Sequence, residues 1–395
     1  MNGAGIAEGV REVDASPIRE IANLAFARPD VLRLHFGESS LPTPAYLRAA
    51  ASAAMESGWT FYSENQGLPS LREALARKYR QLHGVDLDPS RELVVTASGV
   101  QALNVTIRCT IDPGDEAIIL CPNWPNAAQM VRMFNGRVKE VPYRRRAGDW
   151  LCEVDWDALE RAVTPRSRLL VYTSPSNPLG RVAGEQEQLQ LLEFCRRHGL
   201  WLLADEVYER LYYEGAAAPS VLRLCTRDDA VIVAQSFSKT YCMTGWRVGW
   251  VVSREDLVRR ATHLNEYIVA HAPTMLQKAA ETALEDGEAE LQERVGQLRG
   301  NRDFCMERLK DLPGASVDEV QGAFYLFVRI AGLRDSFAFA RQLLDAESVS
   351  VAPGAAFGAG GGDAVRICFA TERAVLETAL ERFGRFVVSG SWAGG

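Results

Sequence analysis

From about residue 70 the chain alternates short apolar runs with helical patterns, and few architectures accept that alternation. SLREALARKYRQLHG reads as a helix closed by Gly84, ELVVTAS as a strand, and GVQALNVTIRCTI as a helix ended by the turn DPGD. Then come strand EAIILCP, a helix near 125–135, strand RVKEVPY, strand SRLLVYTSP, helix EQEQLQLLEFCRRHG, and strands LWLLADE and AVIVAQSFS. This spacing predicts βαβ units: an α/β fold with a mostly parallel sheet covered by helices on both faces. Such sheets bind ligands at the carboxyl ends of their strands. The polar signals TASG, PNW, SPSNP, DEVY and SFSK fall at those ends.

Beyond about residue 280 the texture changes. The charged amphipathic segment EDGEAELQERVGQLRGNRDFCMERLKDL precedes GAFYLFVRI, a helix near SFAFARQLLDAE, and the strand-like runs SVSVAPGAAFG and AVRICFA. Helices beside a small sheet imply a second, smaller α/β domain, and 395 residues leave room for it. The expected division is an N-terminal arm over 1–45 contributing to the small domain, a large domain over 46–280, and the small C-terminal domain over 281–395. GAGGG at 358–362 reads as a flexible turn and RRR at 144–146 as a solvated one. GAGIAEG at 3–9 imitates a dinucleotide-binding fingerprint, but no strand precedes it.

Composition removes several classes of function. A net charge of −7 leaves no footprint for nucleic acid. The N-terminus lacks a secretory pattern, and runs such as AIIL and LWLLA are too short to span a bilayer. A cytoplasmic protein without membrane contact is expected. The eight cysteines are scattered, with no C-x-x-C pair and no metal-ligand spacing with histidine. Reduced thiols and no metal site follow.

The chemistry centres on SFSKTYCMTGWRVGW, residues 236–250. Arginine supplies nearly all the positive charge, and the lysines are Lys78, Lys139, Lys239, Lys278 and Lys310. A site that forms an imine needs lysine, because a guanidinium is never a free amine. Solvated faces account for the other four lysines. An aldehyde cofactor with a pyridine ring and a phosphate needs further groups, and each has a candidate at a strand end. Asp205 suits the ring nitrogen or caps a helix. Tyr208 donates a phenolic hydrogen bond or packs. Asn177 binds the ring or fills an Asn-Pro turn. Ser98, Gly99 and Val100 offer backbone amides to a phosphate or form a tight turn. Arg247 pairs with phosphate or with a carboxylate. Trp124 stacks on a ring or joins the core.

Taken together, these residues resemble a fold-type I pyridoxal-phosphate enzyme of the class I/II aminotransferase family. The resemblance runs from LHFGESSLPTP at 34–44 to VRICFA at 365–370, with SFSKTYCMTGWRVGW its most specific part. It implies pyridoxal 5'-phosphate held by the large domain, with Lys239 forming the imine and then shuttling the proton. It also implies Asp205 on the pyridine nitrogen, and Tyr208 and Asn177 on the ring oxygen. Ser236, Arg247 and the loop Ser98–Gly99–Val100 hold the phosphate, while Trp124 stacks on the ring. Arg366 grips the substrate α-carboxylate, and Gly37, Trp124 and Asn177 line the same pocket. Tyr62 reaches the phosphate of a neighbouring subunit, which implies a homodimer with shared active sites. Burial beside Arg247 is expected to lower the Lys239 pKa.

The implied reaction moves an amino group between an L-amino acid and a 2-oxo acid through Lys239. The same fold also hosts γ-elimination or replacement, cyclisation and amino-acid oxidation. A cofactor-binding regulatory domain fused to a DNA-binding module would need a basic helix-turn-helix, and none is visible. GESSLPTP, NPLG and CPNWPN depart from the family's usual wording, and no arginine is assignable to a second substrate carboxylate. Side-chain specificity therefore stays open. His271 reads either as a substrate contact or as an interface histidine.

Overall fold

The computed structural model describes residues 5–145 and 152–394. Its larger sheet has seven strands in the order Leu93–Thr96, Gly249–Ser253, Val231–Ser236, Trp201–Asp205, Ser167–Thr173, Glu116–Cys121 and Arg137–Pro142. The pairs from Val231–Ser236 through Arg137–Pro142 are parallel. Gly249–Ser253 runs antiparallel to both of its neighbours. Strands such as Leu93–Thr96, Glu116–Cys121 and Val231–Ser236 are buried at every position, as expected when helices cover both faces. One face packs Leu71, Leu75, Tyr79, Phe237 and Trp250, while the other packs Ile107, Ile119, Val131 and Ile232.

The strands and helices of this sheet form close to where the sequence placed them. The exceptions are the strand Gly249–Ser253, which begins within the segment read for its chemistry, and the helices Trp156–Ala162 and Glu255–Ile268, which were not read. An apolar run carries no sign of strand direction. Gly249 shows why the position is restricted: a Cβ there would come within 2.5 Å of the Gly99 nitrogen.

A second, antiparallel sheet of four strands orders Ala315–Val317, Tyr325–Ile330, Ala364–Cys368 and Ala352–Pro353. The segment SVSVAPGAAFG forms two short strands rather than one. Val349–Ser350 pairs in parallel with Leu32–Arg33, which ties the N-terminal segment to this half. The long charged segment splits at Gly287 into the helices Thr274–Asp286 and Glu288–Lys310. A separate core joins Leu34, Leu298, Tyr325, Phe339 and Phe383, and Tyr208 and Leu211 enter it from the turn after Asp205. That turn therefore carries site residues to the junction of the two cores.

Three smaller readings change. Arg144–Arg145 is a short exposed strand paired with Cys152–Glu153, not a turn, and Arg146 lies outside the described residues. The glycine cluster at 358–362 is a hydrogen-bonded turn in which Ala359 donates to Glu140 at 2.8 Å. Gly3 and Ala4 of the N-terminal glycine motif are not described, and a single helical turn follows at Glu8–Arg11. All eight cysteines are free. Among the described residues no helix is long and apolar enough to cross a membrane, and no side-chain cluster could hold a metal ion.

Candidate active site

At the carboxyl rim of the large sheet lies a cleft of about 760 Å³. Thr173, Asp205 and Ser236 end three adjacent strands and line it, and the helix Gly99–Thr110 points its first residues, Gly99 and Val100, into it. Trp124, Asn177, Tyr208, Lys239, Arg247, Gly37 and Arg366 line the same cavity. Of the residues singled out from sequence, Ser98, Tyr62 and His271 do not line it. Ser98 sits at φ 106°, and its hydroxyl caps the helix by accepting from the Gln101 N–H at 3.2 Å. Tyr62 is 90% exposed, and its ring meets that of His271 edge-on, with ring centroids 5.5 Å apart.

Lys239 is half-buried, and its Nζ donates to the Gly37 carbonyl at 2.5 Å. Burial, aided by the nearby Arg366 cation, lowers its pKa to about 8. Arg366 outweighs Arg247 in this effect. Arg247 acts in the direction the sequence reading expected, with Arg366 adding a larger share that the reading did not anticipate. Asp205 is buried, accepts a 3.3 Å bond from the Val207 N–H, and is pushed by burial up to about 6. It thus serves its own turn and the cleft together.

Arg366 is fully buried on the strand Ala364–Cys368. One terminal nitrogen donates to the Asn177 side-chain oxygen at 2.8 Å and the other to the His35 carbonyl at 2.6 Å. Among the described residues its Nε has no hydrogen-bond partner. The guanidinium stacks on Tyr325 at 4.4 Å and Phe357 at 5.0 Å. Tyr208 and Tyr325 share a hydroxyl hydrogen bond of 2.6 Å, and Asn177 Nδ2 donates to Tyr208 at 3.5 Å. Tyr325 was not singled out from the sequence. In GAFYLFVRI it reads as one more strand aromatic, and its contact is long-range. It also explains Gly37, since a Cβ there would overlap the Tyr325 hydroxyl.

Arg247 adopts φ 58°, an uncommon backbone for a residue other than glycine, and donates to the Thr244 carbonyl at 2.5 Å. No carboxylate pairs with it among the described residues. Ser236 and Ser238 lie beside it, their hydroxyls 2.9 Å apart. Trp124 is half-buried, its backbone fixed by Asn123 Oδ1, which also accepts from the Thr173 hydroxyl at 2.8 Å. His271 lies away from the cleft, its Nδ1 2.7 Å from the Ala272 carbonyl.

Of the other lysines only Lys310 is on a solvated face; Lys139 and Lys278 are partly buried in ion pairs with Glu116 and Glu281, and Lys78 departs furthest from expectation. Lys78 is not on a solvated face: it is buried, with Nζ 2.5 Å from Glu209 Oε2. His83 and Gln235 complete that buried group around Glu209. An apolar environment forces a charged group to find partners there, whereas the helical pattern of ALARKYRQLH shows only a polar position.

The cleft combines an amine held near neutrality, a buried carboxylate, an unpaired arginine beside a helix N-terminus, and a second arginine with a free donor. The family model described as "Aminotransferase class I and II" matches residues 29–383. An aspartate aminotransferase of Pyrococcus horikoshii is 32% identical over 380 residues, 95% of this chain and 96% of that protein. The aromatic-amino-acid aminotransferase 2 of Thermococcus litoralis is 32% identical over 95% of this chain and 98% of its own. The solved Thermus thermophilus aspartate aminotransferase with maleate superposes with a TM-score of 0.89 at 31% identity, covering 97% of this chain and 100% of its own. A Pyrococcus chain described as protein-A1 gives 0.91 at 32% identity, over 97% and 99%. Fold, length and the placing of these groups at the strand ends agree with one assignment: the chain belongs to the class I and II aminotransferases.

Proposed function

We propose that the protein transfers an amino group from an α-amino acid to a 2-oxo acid with pyridoxal 5'-phosphate as cofactor. The observation that carries this is the meeting of Lys239, Asp205, Arg247 and Arg366 in one cleft. The residues present fit the cofactor. The N-terminal amides of Gly99–Thr110, Ser236 and the carboxylate-free Arg247 suit a phosphate. Asp205 would hold the ring nitrogen, Asn177 and Tyr208 the ring oxygen, and Trp124 one ring face.

When bound, the cofactor supplies an electron sink for the bond broken at the substrate Cα. The chain's residues do the rest. Arg366 receives the α-carboxylate, and its unpartnered Nε gives it a donor to spare. Asn177 and the His35 carbonyl hold the guanidinium in position before substrate arrives. Lys239 Nζ, lowered to about 8, accepts the Cα proton as a neutral amine and returns it one step later. Asp205, near 6, is ionised at neutral pH and stabilises positive charge at the far end of the cleft.

A homodimer with shared sites is part of the same reading. Tyr62, exposed and outside its own cleft, has beside it the exposed Phe61, and Tyr267, Ile268 and Val269 are exposed as well. Initial rates measured with amino acid and 2-oxo acid varied together test the reaction. Parallel reciprocal plots, the sign of an exchange in two halves, are expected. Ammonia release, oxygen uptake or cyclic product without an amino acceptor would replace it with elimination, oxidation or cyclisation.

A further inference from the structure

Tyr325 lines the cleft, is fully buried, and has no part in the reading above. It opens the strand Tyr325–Ile330, and its hydroxyl lies 2.6 Å from that of Tyr208. Backbone hydrogen bonds fix this meeting. The Ala323 N–H donates to the Leu211 carbonyl at 2.8 Å, and the Tyr213 N–H to the Gln321 carbonyl at 3.0 Å. Gln321 and Gly322 both donate to the Gly180 carbonyl at 2.9 Å, which brings in the loop of Asn177. The segments that carry Tyr208, Tyr325 and Asn177 are thus tied together beside the cleft. The Tyr325 ring lies under the Arg366 guanidinium at 4.4 Å, and its hydroxyl abuts Gly37.

Counting protons gives the pair a direction. Burial pushes both phenols above their ordinary range, and the Arg366 cation offsets this only in part, so each hydroxyl keeps its one proton. Arg366 and Cys368 face the pair from the strand Ala364–Cys368, and Asp205 faces it from the turn of Tyr208. The Asn177 side-chain oxygen is taken by Arg366, so Asn177 presents Nδ2, a donor, to Tyr208 at 3.5 Å. With the Tyr208 proton given to the cofactor ring oxygen, the Tyr208 oxygen is left to accept from its neighbours. Tyr325 is then a donor to it.

We propose that Tyr325 is a positioning residue of the reaction: its hydroxyl donates to Tyr208 and strengthens the hydrogen bond that Tyr208 gives to the cofactor ring oxygen. This rests on the aminotransferase reading, with Tyr208 at that oxygen. A hydroxyl whose own oxygen accepts a hydrogen bond is polarised and donates more strongly. A stronger bond at the ring oxygen stabilises negative charge there. The nitrogen that links Lys239 to the cofactor shares its proton with that oxygen, so the stabilised anion lets the proton go at lower pH.

The test titrates the visible absorbance of the holoenzyme with pH in wild type, Tyr325→Phe, Tyr208→Phe and the double variant. Phenylalanine keeps each ring in place, including the one under Arg366, and thermal unfolding checks that each variant folds. In Tyr325→Phe the midpoint is expected to rise by roughly 0.3–1 pH unit, a two- to tenfold tighter hold on the proton. In Tyr208→Phe it should rise at least as far. Because Tyr325 acts through Tyr208, adding Tyr325→Phe to Tyr208→Phe should move the midpoint by less than about 0.2 unit. A midpoint unmoved in Tyr325→Phe, as a merely structural role would give, would overturn the proposal. So would a shift of the same size with and without the Tyr208 hydroxyl. Absence, in wild type, of a borohydride-reducible bond between cofactor and Lys239 would instead fault the aminotransferase reading.

Discussion

At the scale of single residues, the site trades stability for chemistry. Asp205 is buried with its pKa raised from 3.8 to about 6, so its native form binds a proton more tightly than its unfolded form. Stability of the cofactor-free protein therefore falls as pH rises from about 4 to 6, and stays lower above that. Asp205→Asn removes the buried charge. It should stabilise the cofactor-free protein by roughly 1–3 kcal/mol at pH 8, with the difference vanishing near pH 4. Denaturant titrations at the two pH values check this, and kcat should fall by about 10²-fold or more. Gly37 carries a steric restriction instead. In Gly37→Ala the added Cβ meets the Tyr325 hydroxyl and displaces the carbonyl that holds Lys239. The expected loss is on the order of 10²-fold in kcat/KM with thermal unfolding little changed. The restriction on Gly37 could not be read from sequence, because the clash comes from Tyr325, far along the chain. Lys239, by contrast, stood out in the sequence because its type is chemically irreplaceable.

Elements place these residues through their ends. Parallel strands buried on both faces read as unbroken apolar runs, which is why Ser167–Thr173, Trp201–Asp205 and Val231–Ser236 were legible and their polar last residues could be named. Partners between elements were not. The group around Glu209 links the helix Pro69–His83, the turn after Asp205 and the strand that ends in Ser236. Burial raises the Glu209 pKa, but Lys78 and His83 outweigh it and hold the carboxyl at about 2. Its depressed pKa adds stability that is present above about pH 4.5 and lost as pH falls toward 2. Glu209→Ala leaves Lys78 buried without its partner and should destabilise the protein by about 3–5 kcal/mol at neutral pH. Urea unfolding with an unchanged slope would establish that figure. A loss below about 1 kcal/mol would mean that Lys78 finds water or another acceptor.

The molecule as a whole is two cores joined by shared segments, and we propose the division into 1–45, 46–280 and 281–395. Its support is that Ile21 and Leu34 pack with residues beyond 290, whereas the first core draws on residues 47–283. The alternation of strands and helices made this larger half legible. The antiparallel half has short strands such as Ala352–Pro353, which leave little pattern to read. Assembly is the other whole-molecule expectation. Tyr62 lies outside its own cleft, and if it serves a neighbour's, as the proposed dimer requires, Tyr62→Ala and Lys239→Ala should each be impaired alone. Coexpressed, they should regain activity in mixed dimers, because one of the two sites then carries neither change. A monomer by sedimentation, or no recovery on mixing, would contradict shared sites. The central claim is that Lys239 takes an amino acid's Cα proton in this cleft, and a single half-reaction tests it most directly. Holoenzyme mixed with one amino acid and no acceptor should release one 2-oxo acid per site and stop, while Lys239→Ala releases none. Equal release by the variant, or continued turnover to ammonia without an acceptor, would contradict the claim.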